Sequence, residues 1–194
     1  MSRLEKQMNF IMEVDKLKEI TRQTYISSGK RLENDAEHSF SLALMVALLS
    51  EYANEKIDVA KTMLMVLIHD IVEIDAGDTY AYDDVLNQTK REREVLAADR
   101  IFNLLPEDQA IYLRSLWEEF EEGQTPEAKF ALSVDKVQPM TLNDHTNGRA
   151  WREHEVHLDK IMKRNEHTAE GSQVLWDFAK DIIDKNVLNG NIKS

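Results

Sequence analysis

The chain has 194 residues, 42% of them hydrophobic, a formal net charge of −12 and no cysteine. That length suffices to bury a core as one domain, and the absence of cysteine excludes disulfide frameworks, zinc–thiolate sites and cysteine nucleophiles. The negative charge argues against a protein that coats nucleic acid or an anionic membrane, because a phosphate backbone rewards clustered Lys and Arg. A small anionic substrate stays compatible, given local positive charge from a metal and one or two arginines.

With 6 Gly and 3 Pro among many Leu, Met, Ala, Glu and Lys residues, the composition points to helices. Ser2 to Gln7 is charged and leads into an amphipathic stretch rather than an apolar leader, and the longest apolar runs are too interrupted to span a bilayer. The expectation is a soluble, cytoplasmic, all-α protein.

Phe10, Ile11, Val14, Leu17, Ile20 and Tyr25 have the spacing of an amphipathic helix, with Arg22 near its end. Ser27-Ser28-Gly29 breaks it, and residues 30–34 read as a loop. Asp35 is the expected N-cap of a helix over 36–53 that is apolar nearly all round, with Glu37 in its first turn and His38 at its opening. Asp58 caps an equally apolar helix from Val59 to about Val72, which ends in His69-Asp70. From Glu73 to Thr89 periodicity is lost among Asp75, Gly77, Asp78, Asp83 and Asp84, so a loop bordering a site is expected. Helices follow over 90–105, stopped by Pro106, over 107–120, and from Thr125-Pro126 to about Leu142, the last carrying Asp135 beside its apolar stripe. Two more are expected around 151–164 and 172–187. No strand is expected.

His69 and Asp70 are neighbours that point about 100° apart on a helix, so burying both calls for something that satisfies both, and a cation does so. With His38 and the helix bearing Asp135, two imidazoles and two carboxylates make a mixed nitrogen–oxygen set suited to an octahedral divalent ion with positions left for water. A lone histidine at such a place is ordinarily structural; the combination is what points to a metal.

His38, then His69-Asp70, then Asp135 resembles the signature of the HD-domain metal-dependent phosphohydrolases. The stretches Arg31-Leu32-Glu33-Asn34-Asp35-Ala36-Glu37-His38-Ser39 and His69-Asp70-Ile71-Val72-Glu73, followed by Gly77-Asp78, resemble the 5′-deoxynucleotidase branch, and the likeness runs from about Arg22 to Leu142. The resemblance implies a single-domain helical bundle, with a core over about 10–145 and C-terminal helices over about 150–187. It also implies one divalent ion (Mn, Co, Mg, Fe or similar) held by His38, His69, Asp70 and Asp135. Glu73 matches the glutamate beside the metal-bound water and Asp78 a substrate-facing aspartate, so both are expected to be catalytic, Asp78 also binding substrate. Arg22 matches a phosphate-contacting arginine, although Gln23 follows in place of the branch's tryptophan, and Arg31 is a second phosphate ligand. Glu37 is a first-turn dipole residue, a partner to a ligand or a catalytic group; Lys136 either reaches the phosphate or balances charge.

Members with several metals resemble one another in carrying extra histidines between the HD pair and the last aspartate; none lies between His69 and Asp135, which favours one metal. His145, His154 and His157 are expected outside the metal shell. The implied reaction is attack of a metal-bound water on the 5′-phosphate of (deoxy)nucleoside monophosphates, with a nucleoside triphosphohydrolase or a non-catalytic nucleotide-binding module as alternatives. A nucleotide is the expected partner, no nucleic acid polymer or membrane is, and the family implies a homodimer.

Overall fold

The computed structural model describes residues 1–78 and 87–194, with the side chain of residue 87 left aside. Its organising unit is a triangle of mutually packed helices: α2 (Asp35–Leu49), α3 (Val59–Ile68) and α7 (Pro126–His145). Leu42 and Val46 from α2, Met65 and Val66 from α3, and Phe130, Ala131 and Val134 from α7 are fully buried where the three meet. Burying such side chains stabilises by about 1.5–3 kcal/mol each, so this seam fixes the relative placement of the three helix ends that carry the polar residues.

Around it lie α1 (Arg3–Val14), α4 (Glu73–Ala76), α5 (Asn87–Phe102) and α6 (Glu107–Glu122). The C-terminal part contributes α8 (Arg149–Glu153), α9 (Leu158–Arg164), α10 (Thr168–Gly171) and α11 (Gln173–Leu188), of which α10 and α11 pack on α7. A Cβ on Gly171 would stand 2.1 Å from the Lys129 carbonyl oxygen, so α10 reaches α7 only because that position has no side chain. Pro139 lies inside α7, where its missing N–H leaves the carbonyl of Asp135, four residues earlier, without its helical donor.

The N-terminal region departs from the expected helix to Tyr25. The chain leaves α1 at Val14, tightens into a 3₁₀ turn over Asp15–Glu19 and becomes extended at Ile20. Strand β1 (Thr21–Tyr25) then pairs antiparallel with β2 (Leu32–Asn34), Thr21 opposite Asn34 and Tyr25 opposite Leu32. Thr21, Thr24 and Tyr25 are strand formers, and the pairing with β2 overrides a helical spacing that the sequence carries only loosely. Arg22 is thereby a strand residue. The N-cap of α2 is Asn34, one residue before the expected Asp35: its side chain accepts from the Glu37 amide at 2.9 Å while Glu37 accepts from the Asn34 amide at 3.3 Å.

Two other expectations are corrected. The helix over 36–53 is not apolar all round in its packing, because Phe40, Leu44 and Leu48, four residues apart, are 67%, 50% and 65% exposed. The helix expected over 151–164 is two, separated at Glu155, which takes φ 50°. The middle of the loop expected over 73–89, with Asp83 and Asp84, lies outside the described residues; its first four residues form α4 and its last three begin α5.

Candidate metal centre

The end of α3 determines how the histidine–aspartate pair is presented. After Ile68 the helix tightens into a 3₁₀ turn over His69–Val72, all four residues buried, and α4 begins at Glu73. The His69 Nδ1–H donates to the Val66 carbonyl at 2.9 Å. A carbonyl only accepts, so the lone pair of His69 is at Nε2. Nε2 faces Asp70 Oδ1 at 3.0 Å and Asp135 Oδ1 at 3.8 Å. Phe120 closes the outer side of the ring edge-on, 5.0 Å between centroids.

His38 is oriented by a longer chain of contacts. Glu33 of β2 accepts from the Gln138 amide nitrogen at 2.8 Å, which turns the Gln138 oxygen toward His38 Nδ1 at 3.1 Å. A carboxylate needs a donor, so this fixes the amide and makes His38 Nδ1 the N–H, again leaving Nε2 free. That Nε2 lies 3.0 Å from Asp135 Oδ1 and 3.9 Å from Asp70 Oδ2. The two imidazoles therefore aim Nε2 at the same two carboxylates. One ligand atom each from His38, His69 and Asp135 falls within 4.8 Å of the others, and so does one each from Asp35, Asp70 and Glu73, so Asp70 stands between two adjoining groups.

Two buried carboxylates facing two lone pairs are not at rest without positive charge. In the protein alone that charge is protonic. Burial would lower His69, but Asp70 and Asp135 overcome it and push it up to about 10. His38 is also raised, burial and Arg22 opposing and the Asp135 hydrogen bond prevailing. Asp135 and Asp70 are held below the usual carboxylate range despite burial, Asp135 by His38 and His69, Asp70 chiefly by His69. A divalent ion can replace these protons, and the donor set fits one: two oriented Nε2 atoms, two carboxylates, and outer hydrogen bonds of the kind that hold metal-binding imidazoles in place. Glu73 adds a buried Oε2 with no hydrogen-bond partner. Burial, then the charges of Asp70, Asp35 and Asp78, raise it well above its ordinary value.

Arg22 reaches in from β1 and donates to Asp70 Oδ2 at 2.8 Å and Asp35 Oδ1 at 3.3 Å. Asp35 is fully buried, and burial with the Asp70 charge raises it to about 7. These groups open on a cavity of about 230 Å³ lined among others by Arg22, His69, Asp70, Glu73, Asp78 and Asp135, to which Lys90, Lys136 and Arg164 contribute cations. Thus Arg22, Glu73 and Asp78 stand with the two histidines and two aspartates. Arg31 does not line the cavity: it is 55% exposed and forks onto Glu37 at 2.6 and 2.8 Å, which also settles Glu37 as a surface partner and cap rather than a site group. His145, His154 and His157 are exposed and away from it. Sequence reasoning missed Glu33, Asp35, Gln138, Lys90 and Arg164 as site residues. Gln138 was findable, since it lies three residues after Asp135 on one helix face; nothing local marked Arg164.

A helical bundle with a histidine–aspartate step at the end of a buried helix, closed by an aspartate from a crossing helix, defines the class, and the family model described as HD domain matches residues 14–176. The chain belongs to the HD domain family. It is similar to a crystal structure from Magnetospirillum magnetotacticum MS-1 described as a predicted metal-dependent phosphohydrolase, with TM-score 0.95 and 44% identity, covering 100% of this chain and 97% of that one. A Pyrococcus horikoshii protein, PH0347, shares the fold with TM-score 0.65 at 22% identity, covering 92% of this chain and 97% of that one. Human 5′-deoxynucleotidase HDDC2 is 29% identical over 132 residues, 68% of this chain and 63% of that protein, so the match spans less than two thirds of that relative's length.

Proposed function

We propose that the chain, as a single HD domain, is a metal-dependent phosphohydrolase that removes the 5′-phosphate of (deoxy)nucleoside monophosphates. The observation that carries this is the convergence of His38 Nε2 and His69 Nε2 on Asp70 and Asp135 beside a cavity that also holds the buried carboxyl of Glu73. Similarity to 5′-deoxynucleotidases supports the substrate class.

In this reading His38, His69, Asp70 and Asp135 hold one divalent ion, which when bound lowers the pKa of water and neutralises phosphoryl charge. The chain's own groups do the rest. Arg22, at 2.8 Å, fixes the rotamer of Asp70 and keeps a positive charge at the edge of the phosphate position. Glu73 is a buried carboxyl that lines the cavity, raised by burial and by the charges of Asp70 and Asp35, and it can orient the attacking water or pass a proton to the departing 5′-oxygen. Asp78, also raised by burial, takes a sugar hydroxyl or shares the proton work. Phe120 and Leu132 line the cavity beside these groups and limit water. Arg31, spent on Glu37, has no part in this account.

No helix among the described residues is long and apolar enough to cross a membrane, which accords with a cytoplasmic enzyme. The exposed row Phe40, Leu44 and Leu48 supports a homodimer. The deciding experiment is phosphate release from deoxy- and ribonucleoside 5′-mono- and triphosphates with Mn²⁺, Co²⁺ or Mg²⁺ after chelation, with Asp70→Ala as the blank. Metal-dependent release from the deoxymonophosphates, absent in Asp70→Ala, is expected; silence across the panel in a metal-loaded protein overturns the reading.

A further inference from the structure

Four cations line the cavity, and they divide into two kinds. Arg22 is committed to Asp70 and Asp35, and Lys90 sits 3.3 Å from Glu94. Lys136 and Arg164 make no hydrogen bond or ion pair among the described residues, although both are half-buried and electrostatically close to each other. They come from different elements: Lys136 follows Asp135 on α7, and Arg164 is the last residue of α9. In charge terms Lys136 feels Asp135 first, and that carboxylate faces both imidazoles; the acidic groups beyond it, Glu166 and Glu170, are exposed, and Glu170 is taken by His167 at 2.7 Å and Lys129 at 3.6 Å.

Of the carboxylates that line the same cavity, Asp70 and Asp135 face the imidazoles, Glu94 faces Lys90 and Glu121 faces Arg91, so the donors of Lys136 and Arg164 are left for an entering anion. We propose that Lys136 and Arg164 form the subsite that receives the phosphate of the substrate. A tetrahedral oxyanion satisfies both: the guanidinium offers a planar fork for two oxygens and the ammonium a point charge for a third. Because Lys136 adjoins Asp135 along the helix, an anion held there is brought beside the carboxylate that faces both imidazoles. The subsite also gives an acidic chain the local positive charge an anionic substrate requires, in a place the committed Arg22 and Lys90 cannot supply. This rests on the phosphohydrolase reading for its substrate, while the cationic pair itself does not.

The test separates the two. Manganese content is first counted on wild type, Lys136→Gln and Arg164→Gln, and inorganic phosphate is then titrated into each loaded protein by calorimetry. Equal metal content is expected, with the phosphate Kd raised about tenfold in each variant, the effect of losing one charge-assisted hydrogen bond. KM for deoxyadenosine 5′-monophosphate should rise in parallel while kcat falls by less than about threefold, the pattern of lost ground-state binding. If Lys136→Gln loses metal, Arg164→Gln decides alone, since its side chain is on α9. Failure of wild type to hydrolyse any monoester sinks the enzymatic reading and leaves the phosphate titration standing. Phosphate that binds Arg164→Gln as tightly as wild type, or binds neither, overturns the subsite.

Discussion

Asp70 touches His69, Arg22 and the edge of His38 at once, so its removal should undo more than one contact. Asp70→Ala is expected to lose metal retention and all activity, read by metal content and phosphate release. Glu73→Ala should keep the metal, because the four ligands and the partners of their Nδ1 atoms remain, and lose about 10²–10⁴-fold in turnover. Normal turnover in that variant would remove Glu73 from the mechanism. Gln138 is not itself placed as a ligand, yet it orients His38 through Nδ1; Gln138→Leu should weaken metal binding by about 10–100-fold. Proton balance at these residues gives the metal-free protein an unusual profile. Asp35, raised from 3.8 to about 7, binds more protons folded than unfolded, so stability falls as pH rises through that window. His69, raised from 6.5 to about 10, stabilises fully below 6.5, and that contribution is lost as pH climbs through 10. Melting of chelated protein across pH 5 to 10 should therefore show a continuous decline, flattened when metal is restored.

At the level of elements, sequence periodicity served long, strongly patterned helices and failed where partners decided the backbone. The starts of α6, α7 and α11 were legible in Pro106, Thr125-Pro126 and Ser172, each a stop or cap with a local mechanism. The β1–β2 ribbon was not, because five residues of strand become stable only against a second strand brought by the fold, and Arg22 owes its direction into the site to that pairing. The four proposed ligands could be singled out because their types and order carry the chemistry, while Arg164 enters the same cavity from α9, a placement that no local pattern marks. Two expected outcomes belong here. Asn34→Ala removes one half of the reciprocal cap on α2, and should cost about 1 kcal/mol in denaturant unfolding. Gly171→Ala must push α10 away from the Lys129 carbonyl, and should cost about 1–3 kcal/mol.

For the whole molecule, a net charge of −12 disfavours close approach of two copies unless apolar surface offsets it. The row Phe40, Leu44 and Leu48 offers such a surface on α2, two residues beyond His38 at its nearer end. Leu44→Glu should therefore shift the light-scattering mass from dimer to monomer; a wild-type mass already at the monomer refutes the pairing. Metal at a hundredfold excess over its Kd should raise unfolding free energy by about 2.7 kcal/mol, a gain that chelator abolishes.

Pro139 has a further consequence. An alanine there would restore a backbone bond to the Asp135 carbonyl and make α7 a more regular rod. The native helix forgoes that regularity one turn beyond the residue whose carboxylate has to meet two imidazoles. Selection for thermal robustness alone is expected to erase the proline, and a fall in phosphate release on its removal would mark this position as one where durability and function pull a lineage in opposite directions.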